Sequence, residues 1–172
     1  LWVSSEKISR ITLDANLANP VVTTLDSSHG FVPEMGICEA TQLGTEVVFG
    51  TEMGLYRFNE ATQQLEADAR FGAAYTNGNS YVSDIATAAN GRIWMTTREG
   101  IGSINLNDPT PSFDAKALNR AQLSDVHSIY HHPNGTVWIL GTEGIVRYNP
   151  AIAKNYNASF PAMLRSVTAN TD

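Results

Sequence analysis

A short phrase recurs in register along this chain and limits the folds that are open to it. Residues 94–101 read Trp-Met-Thr-Thr-Arg-Glu-Gly-Ile, and residues 138–145 read Trp-Ile-Leu-Gly-Thr-Glu-Gly-Ile. Residues 48–55 form a third copy, and Trp2 opens a fourth copy that has lost its glycine. The first positions of successive copies lie 46, 46 and 44 residues apart. Strand-like content at this period predicts a β-propeller with one blade in each repeat.

Each repeat predicts a set of strands joined by hairpins, which we name A to D from the inner to the outer edge of a blade. The clearest repeat has strand A at 82–88, strand B at 92–96, strand C at 101–105 and a short outer strand D at 112–115. Asn-Gly pairs follow the A strands of two repeats and predict two-residue turns, because both residues tolerate a positive φ. We therefore expect an all-β chain, a partial β-propeller of about three and a half four-stranded antiparallel blades.

The repeats also predict the domain limits. We place a propeller segment at residues 1–159, and we expect residues 160–172, which have no repeat partner, to be a linker or the first strand of a following domain. Because the chain opens in the middle of a blade, we expect it to be a piece of a longer protein. The repeats within the propeller segment lie near residues 1–27, 33–72, 80–117 and 124–158.

Large apolar residues at the repeat centre predict the packing of the blades. Inner strands of a propeller are covered on both sides by neighbouring sheets, so they favour bulky apolar residues. We expect Trp94 and Trp138 to be core residues between blades rather than ligand platforms. Cys38, the single cysteine, is expected to be a small buried residue in a strand A.

Composition excludes some partners. The chain has 11 Lys and Arg against 17 Asp and Glu, a net charge of −6, and no basic cluster. This balance argues against a nucleic-acid partner. No apolar run reaches the roughly 18 residues of a membrane span, so we expect membrane contact only through segments outside this chain.

The repeats resemble those of the two-component regulator propeller family. The best copy is Gly135-Thr-Val-Trp138 followed by Gly144-Ile-Val-Arg-Tyr-Asn149. Residues 160–170 are similar to the start of the Ig-like Y_Y_Y domain that follows such propellers. The resemblance implies a non-catalytic, periplasmic sensing segment of a bacterial membrane receptor. It also implies an output domain elsewhere in the protein, a histidine kinase, often a hybrid one, or a diguanylate cyclase.

The loops of a propeller carry its function, and here they predict a ligand-binding face. The B–C turns and the D–A connections open on one face, where polar side chains could hold a sugar-like or carboxylate ligand by hydrogen bonds. We expect a small-molecule ligand, for example a saccharide, with Arg98 as the main anion contact. We expect no cofactor. The candidate ligand-binding residues are Glu52, Arg98, Glu99, Ser124, Asp125, Thr142 and Glu143, with Asn79, Ser80 and Tyr81 added by one connection.

Other roles remain open at the level of sequence. His127 is expected to be packed or to face the pore, and the adjacent His131 and His132 point to opposite faces of a strand, so we expect no metal site. One alternative function is a propeller lyase similar to streptogramin lyase, and another is a protein-interaction platform. Open sheet faces and edges at the two ends predict that the chain associates with itself.

Overall fold

The computed structural model describes residues 1–88, 90–119, 121, 123–152 and 154–155. Within these residues the regular structure is β-strand with a few single 3-10 turns, and no helix is long and apolar enough to cross a membrane. The predicted segment 160–172 lies outside the described residues. The strands are β1 (Trp2–Ser4), β2 (Ile8–Thr12), β3 (Val21–Thr24), β4 (Glu39–Leu43), β5 (Glu46–Thr51), β6 (Gly54–Asn59), β7 (Gln64–Ala67), β8 (Val82–Thr87), β9 (Arg92–Thr97), β10 (Gly100–Asn105), β11 (Val126–His131), β12 (Val137–Gly141) and β13 (Gly144–Tyr148).

The strands form four antiparallel sheets that follow one another along the chain, which confirms the all-β, partial propeller fold. The first sheet is β1-β2-β3, the second β4-β5-β6-β7, the third β8-β9-β10 and the fourth β11-β12-β13. The inner strands of successive sheets are neighbours, because β8 contacts both β4 and β11. The first sheet starts at strand B of its repeat.

Three of the four described sheets have fewer strands than the four that were predicted for every blade. Among the described residues only the second sheet has four strands. In the third sheet the fourth strand shrinks to one bridge, where Ser103 and Asp114 exchange backbone hydrogen bonds of 2.9 and 3.0 Å. Pro109 and Pro111 precede this bridge and have no N–H to donate, so the outer edge pairs only briefly.

The A–B hairpin of the fourth sheet is not the two-residue turn that its Asn-Gly pair predicted. His132 N–H donates to Thr136 O at 2.8 Å, and Gly135 N–H donates to His132 O at 2.9 Å, which leaves three residues in the loop. Only the glycine has a positive φ, 88°, while the Asn134 side chain accepts the N–H of Thr136 at 2.9 Å. Asparagine here caps the turn with its side chain, and glycine alone supplies the left-handed residue.

The core lies between the sheets. Trp94 is 3% exposed and faces the fourth sheet. In the same way, Trp2 of the first sheet packs on two rings of the second, with centroids 5.4 Å from Phe49 and 5.0 Å from Phe58. Trp2 and Trp94 therefore each pack against the sheet that follows their own.

Trp138 departs from the predicted core role. It is 39% exposed, because its ring points away from the third sheet and no described sheet follows the fourth. Strand β12 accordingly alternates buried and exposed residues, whereas β5 in the second sheet is buried along most of its length. Cys38 is buried as predicted, and burial raises the pKa of its thiol to about 11.

Candidate functional site

Two β-bulges deform the inner strands of the third and fourth sheets. The β8–β9 register shifts between Ser83 and Ala86, and the β11–β12 register shifts between Val126 and Ser128. Beside these bulges Asp84 and Asp125 adopt left-handed conformations with φ of 47° and 44°. The β4–β5 pairing of the second sheet is regular. Bulges and left-handed non-glycine residues cost free energy, and both concentrate at functional sites.

The bulges border a cleft of about 390 Å³, which we call the bulge cleft. Its polar side chains come from the connection that precedes β8, from β8 and β9, from the β9–β10 turn and from the connection that precedes β11. This volume is in the range of small-molecule sites. The residues that line the bulge cleft include Tyr81, Ser83, Asp84, Thr96, Arg98 and Asp125.

Asp84 lies at the end of a chain of hydroxyl groups. The Tyr81 hydroxyl donates to Ser83 Oγ at 3.0 Å, and the Ser83 hydroxyl donates to Asp84 Oδ2 at 3.0 Å. Burial raises the pKa of Asp84, although the Ser83 hydrogen bond and the charge of His127 oppose that rise. The pKa of Glu39 on β4 is also raised, first by loss of hydration and then by the charge of Asp84. Glu39 on β4 and Asp84 on β8 therefore lie close enough for their charges to interact.

Thr96 adds an unused hydrogen-bonding group to the bulge cleft. Its Oγ1 is the one buried side-chain oxygen or nitrogen that lacks a hydrogen-bond partner within the described residues. Leaving such a group unsatisfied costs about 1–3 kcal/mol. This cost marks Thr96 as a polar group that the described part of the fold does not satisfy.

Arg98 joins the bulge cleft to a smaller one. The second cleft, of about 200 Å³, also contains Asn79, Ser80 and Glu99, and both clefts share Tyr81 and Arg98. Arg98 is exposed, and it forms no salt bridge with any residue that the structure describes. The structure thus places Arg98 in one cleft with the predicted residue Asp125 and in another with the predicted residue Glu99.

The fourth sheet uses its predicted residues to hold its own turn. Ser124 N–H donates to Glu143 Oε2 at 2.9 Å, and the Ser124 hydroxyl donates to the same carboxylate. The Ser124 hydroxyl is the main cause of the lowered pKa of Glu143. Thr142 Oγ1 lies 3.2 Å from Nε2 of His127, which is exposed on the inner strand. These contacts tie the B–C turn to the preceding connection and to strand A.

Glu52 stands apart from the other predicted residues. It belongs to the second sheet, where its N–H donates to Met35 O at 2.9 Å and its side chain packs over Gly36. It lines neither cleft that contains Arg98.

Sequence reasoning missed Ser83, Asp84 and Thr96. The pair Ser83-Asp84 lies at the start of strand A in the third sheet, and the pair Ser124-Asp125 directly precedes strand A in the fourth. This repetition was the available signal. Within the described residues no three His, Cys, Asp or Glu side chains converge as metal ligands would.

Comparisons with known proteins bear on the fold. No family model matches the chain, and no curated protein matches it. A similar solved structure is the extracellular domain of a proposed hybrid two component system from B. thetaiotaomicron, with a TM-score of 0.51 and 19% sequence identity. The match covers 86% of this chain and 20% of that chain, so this chain spans about a fifth of the structure it resembles. At this identity the similarity supports the fold.

Proposed function

We propose that this chain is a non-catalytic, ligand-binding segment of a propeller sensor in a bacterial membrane signalling receptor, located outside the cytoplasm. The bulge cleft carries the proposal, because it combines two left-handed aspartates with an arginine and a threonine hydroxyl that have no salt bridge and no hydrogen-bond partner, respectively, among the described residues. The similar structure adds support, since it is described as the extracellular domain of a two component system.

The chemistry of the cleft favours a small polyhydroxylated ligand, with a saccharide as the class proposed. Asp84 and Asp125 offer acceptors for ligand hydroxyls, and Tyr81 and Thr96 can donate or accept. Arg98 offers several donors and suits a ligand carboxylate or a ring of hydroxyl oxygens. Such ligands bind through many directed hydrogen bonds, which matches a cleft rich in hydroxyl and carboxylate groups.

A ligand screen with single variants tests this proposal. We would measure the thermal shift of the wild type across a library of sugars, oligosaccharides and sugar acids, and repeat each hit with Arg98→Gln and Asp125→Asn. We expect both variants to lose most of the shift. Arg147→Gln, at an exposed arginine of the fourth sheet, is the matched control and should keep it. Hits whose shifts survive both cleft variants would place the ligand elsewhere.

A further inference from the structure

A third cleft lies between the third and fourth sheets, at the end opposite the bulge cleft. It has a volume of about 410 Å³ and sits by the A–B hairpins, so we call it the hairpin cleft. Strands of a blade are antiparallel, so the A–B hairpins and the B–C turns are at opposite ends. The residues of the hairpin cleft used below are Arg92, Trp94, Asp114, Lys116, His131 and Tyr148.

The hairpin cleft concentrates nitrogen donors in an acidic chain. Arg92, Lys116 and His131 line it together with a single carboxylate, that of Asp114. The whole chain has a net charge of −6, so the hairpin cleft is more positive than the chain as a whole. In the part of the chain that the structure describes, neither Arg92 nor Lys116 forms a salt bridge.

In and beside the second sheet, by contrast, Arg57 and Arg70 are paired with carboxylates. Arg57 lies 3.7 Å from Glu46 and 3.6 Å from Glu66, and Arg70 binds Asp68 at 2.6 Å. Pairing with a carboxylate is how those arginines are neutralised. The cations of the hairpin cleft keep their charge available to a ligand.

Arg92 is also held in position. Its Nη1 donates to Ser103 Oγ at 2.8 Å, and Ser103 is 3% exposed, so a buried hydroxyl fixes the guanidinium at the wall of the cleft. Trp94 and Tyr148, packed edge to face, supply aromatic surface at the same cleft. A cation fixed before binding loses little side-chain entropy when it meets an anion.

Asp114 limits what the hairpin cleft can accept. Its Oδ1 already accepts the backbone N–H of Lys116 at 3.0 Å, and its own N–H donates to Ser103 O at 2.9 Å. One carboxylate against two cations leaves a net positive site that suits one or two anionic groups better than a polyanion.

We infer that the hairpin cleft binds a small organic anion through a carboxylate or phosphate group held by Arg92 and Lys116, independently of the ligand at Arg98. Guanidinium and ammonium groups bind both kinds of anion by charge-assisted hydrogen bonds, so the geometry assigns the shared chemistry.

Calorimetric titration with inorganic phosphate and, separately, with succinate at constant ionic strength tests the inference. We expect at least one anion to bind the wild type, and the one that binds identifies a phosphate or a carboxylate site. Lys116→Gln and Arg92→Gln should each weaken binding roughly tenfold, as expected for a lost hydrogen bond to a charged group. Lys7→Gln, at an exposed lysine of the first blade, should leave binding unchanged.

Lys116→Gln and one further variant, Arg98→Gln, keep the outcomes separate. Lys116 is exposed and its side chain forms no salt bridge within the described residues, so Lys116→Gln carries the test if Arg92→Gln disturbs folding. Arg98→Gln should leave phosphate or succinate binding intact, which distinguishes this site from the bulge cleft. Absence of binding by both anions, or equal binding by Lys116→Gln and wild type, would overturn the inference.

Discussion

The indole of Trp94 meets the ring of Tyr148 edge-on, with 5.5 Å between centroids, and joins the third sheet to the fourth. Trp138 holds the same position in the next repeat, yet its partner is the guanidinium of Arg147, 5.7 Å from the ring, and it is 39% exposed. One repeat position therefore has two environments. The difference arises because a propeller blade buries its tryptophan only against the sheet that follows it.

Replacing the two tryptophans should have unequal effects on stability. Trp94→Ala removes a fully packed ring and should lower the free energy of unfolding by about 3–5 kcal/mol. Trp138→Ala should cost about 1–2 kcal/mol, because the ring is partly hydrated before it is removed. Urea denaturation of both variants measures the difference. Equal losses would mean that Trp138 is buried in solution.

Glycine is required at the B–C turn of the second sheet for two reasons that can be separated. Gly54 and Gly100 both have a positive φ, 126° and 108°. A Cβ on Gly54 would collide with the carbonyl of Tyr75, whereas a Cβ on Gly100 would meet open space. Gly100→Ala should cost about 1 kcal/mol through backbone strain alone. Gly54→Ala should cost clearly more in the same thermal denaturation assay, and a smaller loss than for Gly100→Ala would contradict the contact with Tyr75.

Asp84 should lower stability at neutral pH. Its pKa in the fold is raised above its ordinary value near 3.8, chiefly by burial. Between those two values the folded state holds more protons than the unfolded state, so stability falls as the pH rises. Asp84→Asn should therefore unfold at a higher temperature than wild type at pH 7, with a gap that closes as the pH falls to about 3.8.

Melting curves measured from pH 3 to pH 8 provide the check on Asp84. Asp26→Asn is a control of opposite sign, because hydrogen bonds from Ser28 and His29 lower the pKa of Asp26 to about 2. Its contribution to stability is present above pH 3.8 and is lost as the pH falls toward 2. A gap between Asp84→Asn and wild type that widens on acidification would contradict the assigned pKa direction.

The exposed face of the fourth sheet predicts self-association. Tyr130, Trp138, Leu140 and Ile145 are each 39–66% exposed there. Exposed apolar surface of this kind is typical of an interaction site. Light scattering at micromolar concentration should give a mass above 18.7 kDa. The double variant Leu140→Lys, Ile145→Lys should shift the mass toward the monomer, and a monomeric wild type would refute the prediction.

The fold could be predicted from the sequence because the repeat fixes strand order and turn positions together. The register of three copies located the B and C strands to within a residue or two. The loop length predicted from Asn134-Gly135 was wrong, because a dipeptide does not reveal that His132 and Thr136 close a loop of three residues.

The candidate site was only partly predictable. Blade geometry was enough to predict that Arg98 and Asp125 share one cleft, because B–C turns and D–A connections open on the same face of a propeller. Asp84 lies within a bulge, and bulges change which face a residue occupies without a distinct sequence pattern. Glu143 stays a predicted ligand contact, and its hydrogen bond from Ser124, which joins segments 19 residues apart, could not be read from the repeat.

The most direct test of the account is a residue-resolved NMR titration with the strongest hit from the saccharide screen. The account predicts that saturating ligand shifts the amide signals of Tyr81, Thr96, Arg98 and Asp125, and that Arg98→Gln abolishes these shifts. Signals of the first sheet and of the A–B hairpins should stay in place. Shifts confined to those regions, with the bulge cleft unchanged, would contradict the claim that this propeller segment binds its ligand between the bulged inner strands.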